Sequence, residues 1–223
     1  MTESLRTLLY PFGFVASFFF TVRFFIQWIL SEIKHESHVT DLFWRLSVVG
    51  NIFLMVHSLI QVQFHLCAIQ ACNVIISWRN LNLMKARPAK FSTVIGLVIA
   101  MLSAVTILFI LQGVFWLDSI QWVRTPTMPW GGGGGGLSLP WHIMGFFGMI
   151  LFASRFWVQW IYAEKSQKSL LGKSFWWLSL IGAFLAVIYF IFLGDVVNII
   201  GYGLGIIPYL RNLILIGRYG QRV

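Results

Sequence analysis

Residues 23–28 of this chain read RFFIQW, and 132 positions later residues 155–160 read RFWVQW. The offset holds without a gap over a long stretch. Glu32 maps onto Glu164, Ser37 onto Ser169, Phe43-Trp44 onto Phe175-Trp176, Ser47 onto Ser179 and Gly50 onto Gly182. Arg79-Asn80-Leu81 returns as Arg211-Asn212-Leu213. Self-similarity at a fixed spacing marks two copies of one supersecondary unit. Both copies are apolar yet carry arginine inside their apolar runs. Charge is expensive in lipid, so its recurrence points to a lipid or solute handler rather than a plain anchor.

Only 10% of residues are charged and the mean hydropathy is +0.81, which excludes a water-soluble domain. A membrane-crossing helix needs about 20 apolar residues. Seven stretches qualify, near 10–30, 42–61, 63–83, 91–112, 141–162, 174–193 and 196–216. The N-terminal MTESLRTLLY has neither a basic region nor a small-residue cleavage site, so the first helix is expected to be retained. The net charge of +9 does not mark a nucleic-acid binder, because the cations lie at helix ends and in short loops. Cys67 and Cys72 share one helix without metal-ligand companions and are read as buried thiols. No metal or cofactor set is expected.

Each copy holds three spans. Joined directly, the second would be inverted; the extra helix at 91–112 restores a parallel relationship. The expected fold is therefore all-α and integral to the membrane, with two parallel three-helix repeats around a linker helix (3+1+3). Its divisions are 1–84 for the first repeat, 85–140 for the linker helix and outer loop, and 141–223 for the second repeat. Under this topology Lys34, Lys85, Arg87, Lys90, Lys165, Lys168, Lys173, Arg218 and Arg222 share one side, against Arg6 and Arg124 on the other. The positive-inside bias then puts the N-terminus outside and the C-terminus in the cytoplasm. Segment 114–140 carries Trp116, Trp122 and Trp130, with Trp141 just beyond, and six glycines at 131–136. Headgroup-level tryptophans and a flexible insert or artificial join account for it.

Arg23 and Arg155 stand inside the first helix of each copy, expected about two turns short of its cytoplasmic end. Gln27 and Gln159 follow at i+4 and share their face. Arg79-Asn80 and Arg211-Asn212 lie near the ends of the third helices at a similar depth, roughly 5–10 Å below the interface. A guanidinium surrounded by hydrocarbon seeks a phosphate or carboxylate. One reading is two quasi-equivalent pockets for lipid phosphate, lined by these eight residues, with Glu32, Glu164 and Gln70 as further polar partners. In the other, each arginine snorkels to the interface or pairs with Glu32, Glu164 or a helix-end carbonyl. A direct Arg23–Glu32 pair would require the helix to unwind, since nine residues turn them to opposite faces.

Phe43-Trp44 and Phe175-Trp176 suit interfacial anchoring, or else stacking on a ligand. Ser47, Gly50, Ser179 and Gly182, with Gly201 and Gly205, suit close helix packing. His57 and His65 are expected as core histidines, and Asp195 as solvated in an outer turn. No nucleophilic triad, nucleotide loop or metal spacing is present, so the chain by itself carries no catalytic signature.

The pattern G-F-x(8)-R-F-x-x-Q-W, then E, S, F-W-x-x-S-x-x-G and finally R-N-L, spans 13–83 and again 145–215. It resembles the lipid A biosynthesis N-terminal domain family, which is grouped with the SWEET and PQ-loop transporters. Members occur alone or fused ahead of lipid-A-disaccharide synthase, notably in chlamydiae, and NVIISWRNLNLM at 73–84 looks like that form. The usual Gly-Gln pair of the third helix is split here. Gln70 follows Ile69 in one copy, and Gly201 precedes Tyr202 in the other.

The resemblance implies a bacterial inner-membrane module of lipopolysaccharide synthesis, with a glycosyltransferase domain or protein on the cytoplasmic side, following Val223 in a fusion. The implied ligand is a phosphorylated glycolipid or polyprenyl phosphate amid membrane lipids. The alternative is a SWEET-like transporter or flippase of a lipid-linked sugar or polyprenyl phosphate.

Overall fold

A computed structural model describes residues 3–117, 119–122, 138–193 and 196–219. Among them the chain is helical throughout, without strands. The helices are α1 (Glu3–Leu9), α2 (Phe12–Lys34), α3 (Asp41–Ile60), α4 (Phe64–Leu83), α5 (Phe91–Trp116), α6 (Leu139–Ser166), α7 (Lys173–Leu193), α8 (Val196–Gly203) and α9 (Ile206–Tyr219). Six described stretches are long and apolar enough to cross a membrane: Arg6–Lys34, Asp41–Ile60, Phe91–Trp116, Leu139–Ser166, Lys173–Phe192 and Asn198–Tyr219. The seventh expected span, 63–83, forms as α4 but is not among these six. Gln70, Asn73, Arg79, Asn80 and Asn82 dilute its apolar character, and all but Gln70 are buried by protein.

The helix ends follow local chemistry. Beyond α2, His35 takes a left-handed φ of 54°, and the Glu36 N–H reaches back to the Ser31 carbonyl at 3.2 Å. At the matching place beyond α6, Gln167 has φ 52°. Its side chain donates to the Glu164 carbonyl at 2.7 Å. Such left-handed caps satisfy carbonyls that a helix end would leave open. Pro140 sits in the first turn of α6, where its missing N–H is harmless. Lys34 and Lys165 occupy last turns, where cations complement the helix dipole.

The chain divides into two compact units. One comprises Met1–Phe20 and Trp44–Gly131. Here α4 packs on α5 around Val62, Cys67, Ala71, Val105 and Phe109. Trp122 stacks on Phe109, and its carbonyl accepts the Phe64 N–H at 2.8 Å. Phe19 stacks on Phe53, and Gly50 lets Phe20 approach so closely that an added Cβ would fall 2.5 Å from the Phe20 ring. Arg6 is buried, and its carbonyl accepts from the Gln61 amide at 3.1 Å. His57 is buried against Tyr10 and Gly13, whereas His65 is exposed and no core histidine. Both cysteines are buried thiols.

The other unit comprises Thr21–Phe43 and Gly132–Val223. Here α7 packs on α6, α8 and α9. At Gly182 a Cβ would fall 2.6 Å from the Phe152 backbone nitrogen, so α6 and α7 meet backbone to backbone, as small residues permit. Gly201, expected to pack in the same way, has open space around its Cβ direction. Asp195, Trp130 and the glycine run at 131–136 lie outside the described residues.

Candidate functional site

Arg23 is the middle residue of α2, eleven positions before its end at Lys34. Arg155 likewise stands eleven positions before the end of α6 at Ser166. At 1.5 Å per residue that is about 16 Å of helix, longer than the two turns expected, because both helices continue past the apolar stretch.

The two arginines meet. Their guanidinium carbons lie 5.2 and 4.9 Å from the centroid of one ring, Phe156. They also share Phe24, at 4.8 and 5.7 Å. Arg23 adds Phe43 at 5.2 Å; Arg155 adds Phe152 at 3.3 Å and Phe175 and Tyr209 at 5.8 Å each. Tyr209 offers its phenol oxygen to Arg155. Arg23 is 2% exposed and Arg155 5%, so neither snorkels. Phe43 and Phe175, like Trp44 and Trp176, are almost wholly buried, which corrects their reading as interfacial anchors: the two phenylalanines wall this cluster. The rings explain part of its stability, since a desolvated cation over an aromatic face gains about 2 kcal/mol. Burying each charge costs several kcal/mol, about as much again or more. Arg155 makes no ion pair among the described residues, and its Nε and Nη1 are buried without a hydrogen-bond partner there.

The other two arginines have protein partners. Arg211 grips Glu32 by a two-point fork, Nε to Oε1 and Nη2 to Oε2, the latter at 2.8 Å. Helix α2 stays intact through Glu32, so this carboxylate faces α9 rather than Arg23. In the other unit, buried Arg79 donates through Nη1 to the Ala89 carbonyl at 2.7 Å and to Asn82 Oδ1 at 3.0 Å. Asn82 Oδ1 also accepts the Ala89 N–H at 2.7 Å, so the pair clasps the loop between α4 and α5.

The amides are also engaged. Gln27 Nε2 donates to Asn212 Oδ1 at 2.8 Å and Asn212 Nδ2 donates back to Gln27 Oε1 at 3.1 Å. Gln27 Nε2 further donates to Ser31 Oγ at 2.8 Å, which accepts the His38 N–H at 2.9 Å. In the second copy Ala163 replaces Ser31, and Gln159 donates straight to the Leu170 carbonyl at 3.2 Å. Leu170 is the counterpart of His38, so each glutamine holds the loop after its helix. Trp28 donates to Glu32 and Trp160 to Glu164, both at 2.9 Å. Asn80 donates to the Ile76 carbonyl at 2.9 Å, and Gln70 accepts from Asn73 at 3.4 Å.

Thus Arg23, Gln27, Glu32, Arg155, Gln159, Arg211 and Asn212 fall in one unit, and Gln70, Arg79 and Asn80 in the other. Sequence reasoning missed Phe152 and Tyr209. The signals for the other rings were the phenylalanine following each arginine, Phe24 and Phe156, and the repeated Phe43 and Phe175.

Helices of this length and hydropathy, with a cationic cluster walled by aromatic rings, define an α-helical membrane protein. The chain belongs to the Lipid A Biosynthesis N-terminal domain family, which matches residues 12–82 and again 144–214. It is similar to the lipid-A-disaccharide synthase of Chlamydia felis, 38% identical over 214 residues that cover 94% of this chain and 33% of that protein. The enzyme of the same name from Chlamydia trachomatis serovar D is 35% identical over 225 residues, 99% of this chain and 36% of that protein. That of Chlamydia muridarum is 34% identical over 221 residues, 97% and 35% respectively. The chain spans about a third of the length of these curated relatives. No solved structure matches it.

Proposed function

We propose that this chain is an inner-membrane module of lipid A biosynthesis that binds a phosphorylated glycolipid and presents it to a glycosyltransferase domain or protein on the cytoplasmic side. One observation carries the reading: two buried arginines share an aromatic cluster in a chain of this family. Arg23 and Arg155 hold the phosphate; Gln27, Gln159, Asn212 and the Arg211–Glu32 pair hold the surrounding helices and loops in place. Arg79 and Asn80 play the corresponding structural part in the other unit. In this reading α4 is a seventh crossing, and the positive-inside bias then favours loop cations in the cytoplasm and the N-terminus outside.

The position of Arg23 at the middle of α2 favours a second reading, a flippase or transporter passing a lipid-linked sugar or polyprenyl phosphate between leaflets. Native mass spectrometry of the purified protein with lipid A precursors and polyprenyl phosphates tests the first reading. Selective retention, lost in a folded Arg23→Gln/Arg155→Gln variant, is the expected result. Equal retention by both proteins overturns it. Transfer of a labelled polyprenyl phosphate across proteoliposomes, absent in the same variant, decides for the second.

A further inference from the structure

We infer that the loop between α6 and α7 is a binding surface for anionic lipid headgroups, built by Lys165, Lys168 and Lys173 between the exposed rings of Tyr162 and Trp177. The inference goes beyond the proposed function and uses neither Arg23 nor Arg155.

Helices α6 and α7 are both long and apolar enough to cross a membrane, so their short connection falls at the membrane–water boundary. The loop is held on a fixed frame. Gln159 donates to the Leu170 carbonyl at 3.2 Å, Trp176 Nε1 donates to the Leu171 carbonyl at 3.1 Å, and Leu171 is buried. Lys165, Lys168 and Lys173 are exposed on this frame, and their ammonium groups make no ion pair or hydrogen bond among the described residues.

The offset of 132 isolates what is particular to this loop. Its buried neighbours repeat: Gln27, Phe43 and Trp44 recur as Gln159, Phe175 and Trp176, all of them buried. Its exposed residues do not. Lys165, Lys168 and Lys173 replace Ile33, Glu36 and Asp41, so two of the three positions change from anion to cation. Tyr162 and Trp177 replace Leu30 and Arg45. Lys173 opens α7, where the helix dipole disfavours a cation, whereas Asp41 in the matching place suits the start of α3. Helix stability therefore does not account for Lys173. Tyrosine and tryptophan settle at headgroup level, and lysines beside them keep their ammonium groups among the phosphates. Charge that served only to orient the helices would need neither the flanking rings nor a cation at the head of a helix.

The test uses the full chain in detergent with phosphatidylglycerol and phosphatidylcholine of the same acyl chains, offered together. Native mass spectrometry counts each lipid retained, and thermal unfolding verifies the fold of each variant. Wild type is expected to prefer phosphatidylglycerol by about fivefold or more at low salt, the effect of one lysine near an anionic surface, and raised salt should remove the preference. Lys165→Gln/Lys168→Gln/Lys173→Gln should lose most of it, and the corresponding triple arginine variant should keep it. Lys85→Gln/Arg87→Gln/Lys90→Gln, which removes three exposed cations from the other unit, should also keep it.

No preference in wild type, or a preference indifferent to salt, overturns the inference whether or not any variant folds. Equal loss in the two glutamine triples overturns it as well, because the preference then follows net charge and not this loop. Inorganic phosphate that displaces the lipid more strongly than chloride of equal ionic strength overturns it in favour of a pocket for a soluble anion.

Discussion

Gln27 and Asn212, 185 positions apart in sequence, exchange a hydrogen bond in each direction, and both side chains are buried. The pair ties α2 to α9 one turn beyond Arg23. Removing one partner leaves the other's amide unsatisfied, which costs about 1–3 kcal/mol, whereas replacing both with apolar groups can be nearly neutral. Gln27→Leu and Asn212→Leu are each expected to lower the unfolding free energy in detergent by that amount. The double variant should lose less than the sum of the two, and strict additivity would dissociate the pair.

Gly182 and Gly201 should respond oppositely to alanine. A Cβ at Gly182 meets the Phe152 backbone at 2.6 Å, and backbone cannot step aside as a side chain can, so Gly182→Ala should cost about 1–3 kcal/mol. Gly201 has nothing near its Cβ direction, and alanine in a helix gains up to about 1 kcal/mol over glycine. Thermal unfolding of both variants against wild type measures the contrast.

Arg79 and Asn82 clasp Ala89, so their loss should loosen the loop at 84–90. Lys85 and Lys90 in that loop are exposed. Trypsin should cut there faster in Arg79→Leu and Asn82→Ala than in wild type, with other sites unaffected. Unchanged cutting would show that the clasp does not hold the loop.

Burial, and then the charge of Lys34, hold the His38 imidazole below the usual histidine value, with Glu36 opposing them. Lys34 Nζ lies 2.8 Å from His38 Nε2, an arrangement that needs a neutral ring. The folded state therefore binds this proton more weakly than the unfolded chain does. Its contribution to stability is complete above the unfolded value of 6.5 and is lost as pH falls through the lower folded pKa. A melting-temperature profile should dip on acidification in wild type and dip less in His38→Gln.

The buried polar residues were conspicuous in the sequence, because an arginine or glutamine inside an apolar run stands out against its surroundings. Helical spacing also placed Gln27 on the face of Arg23. Which arginines meet was not legible: a period of 3.6 orders residues around one helix but is silent about the neighbouring helix. Equivalence by offset suggests a like role for Arg23 and Arg155, yet it cannot reveal that they share two rings. Phe43 and Phe175 illustrate a second limit, since an aromatic at the start of a membrane helix fits a headgroup belt or a buried wall equally well. The stretch 63–83 is expected as a span and forms as α4, but its polar residues leave it outside the six stretches long and apolar enough to cross.

The first-copy segment 21–43 supplies groups that the second copy needs: a carboxylate for Arg211 from Glu32 and an amide for Asn212 from Gln27. A half-length chain bearing only the second copy would leave both without their counterparts. The two family-matched stretches, 12–82 and 144–214, therefore do not coincide with the two compact units, since segment 21–43 completes the unit that holds the second stretch.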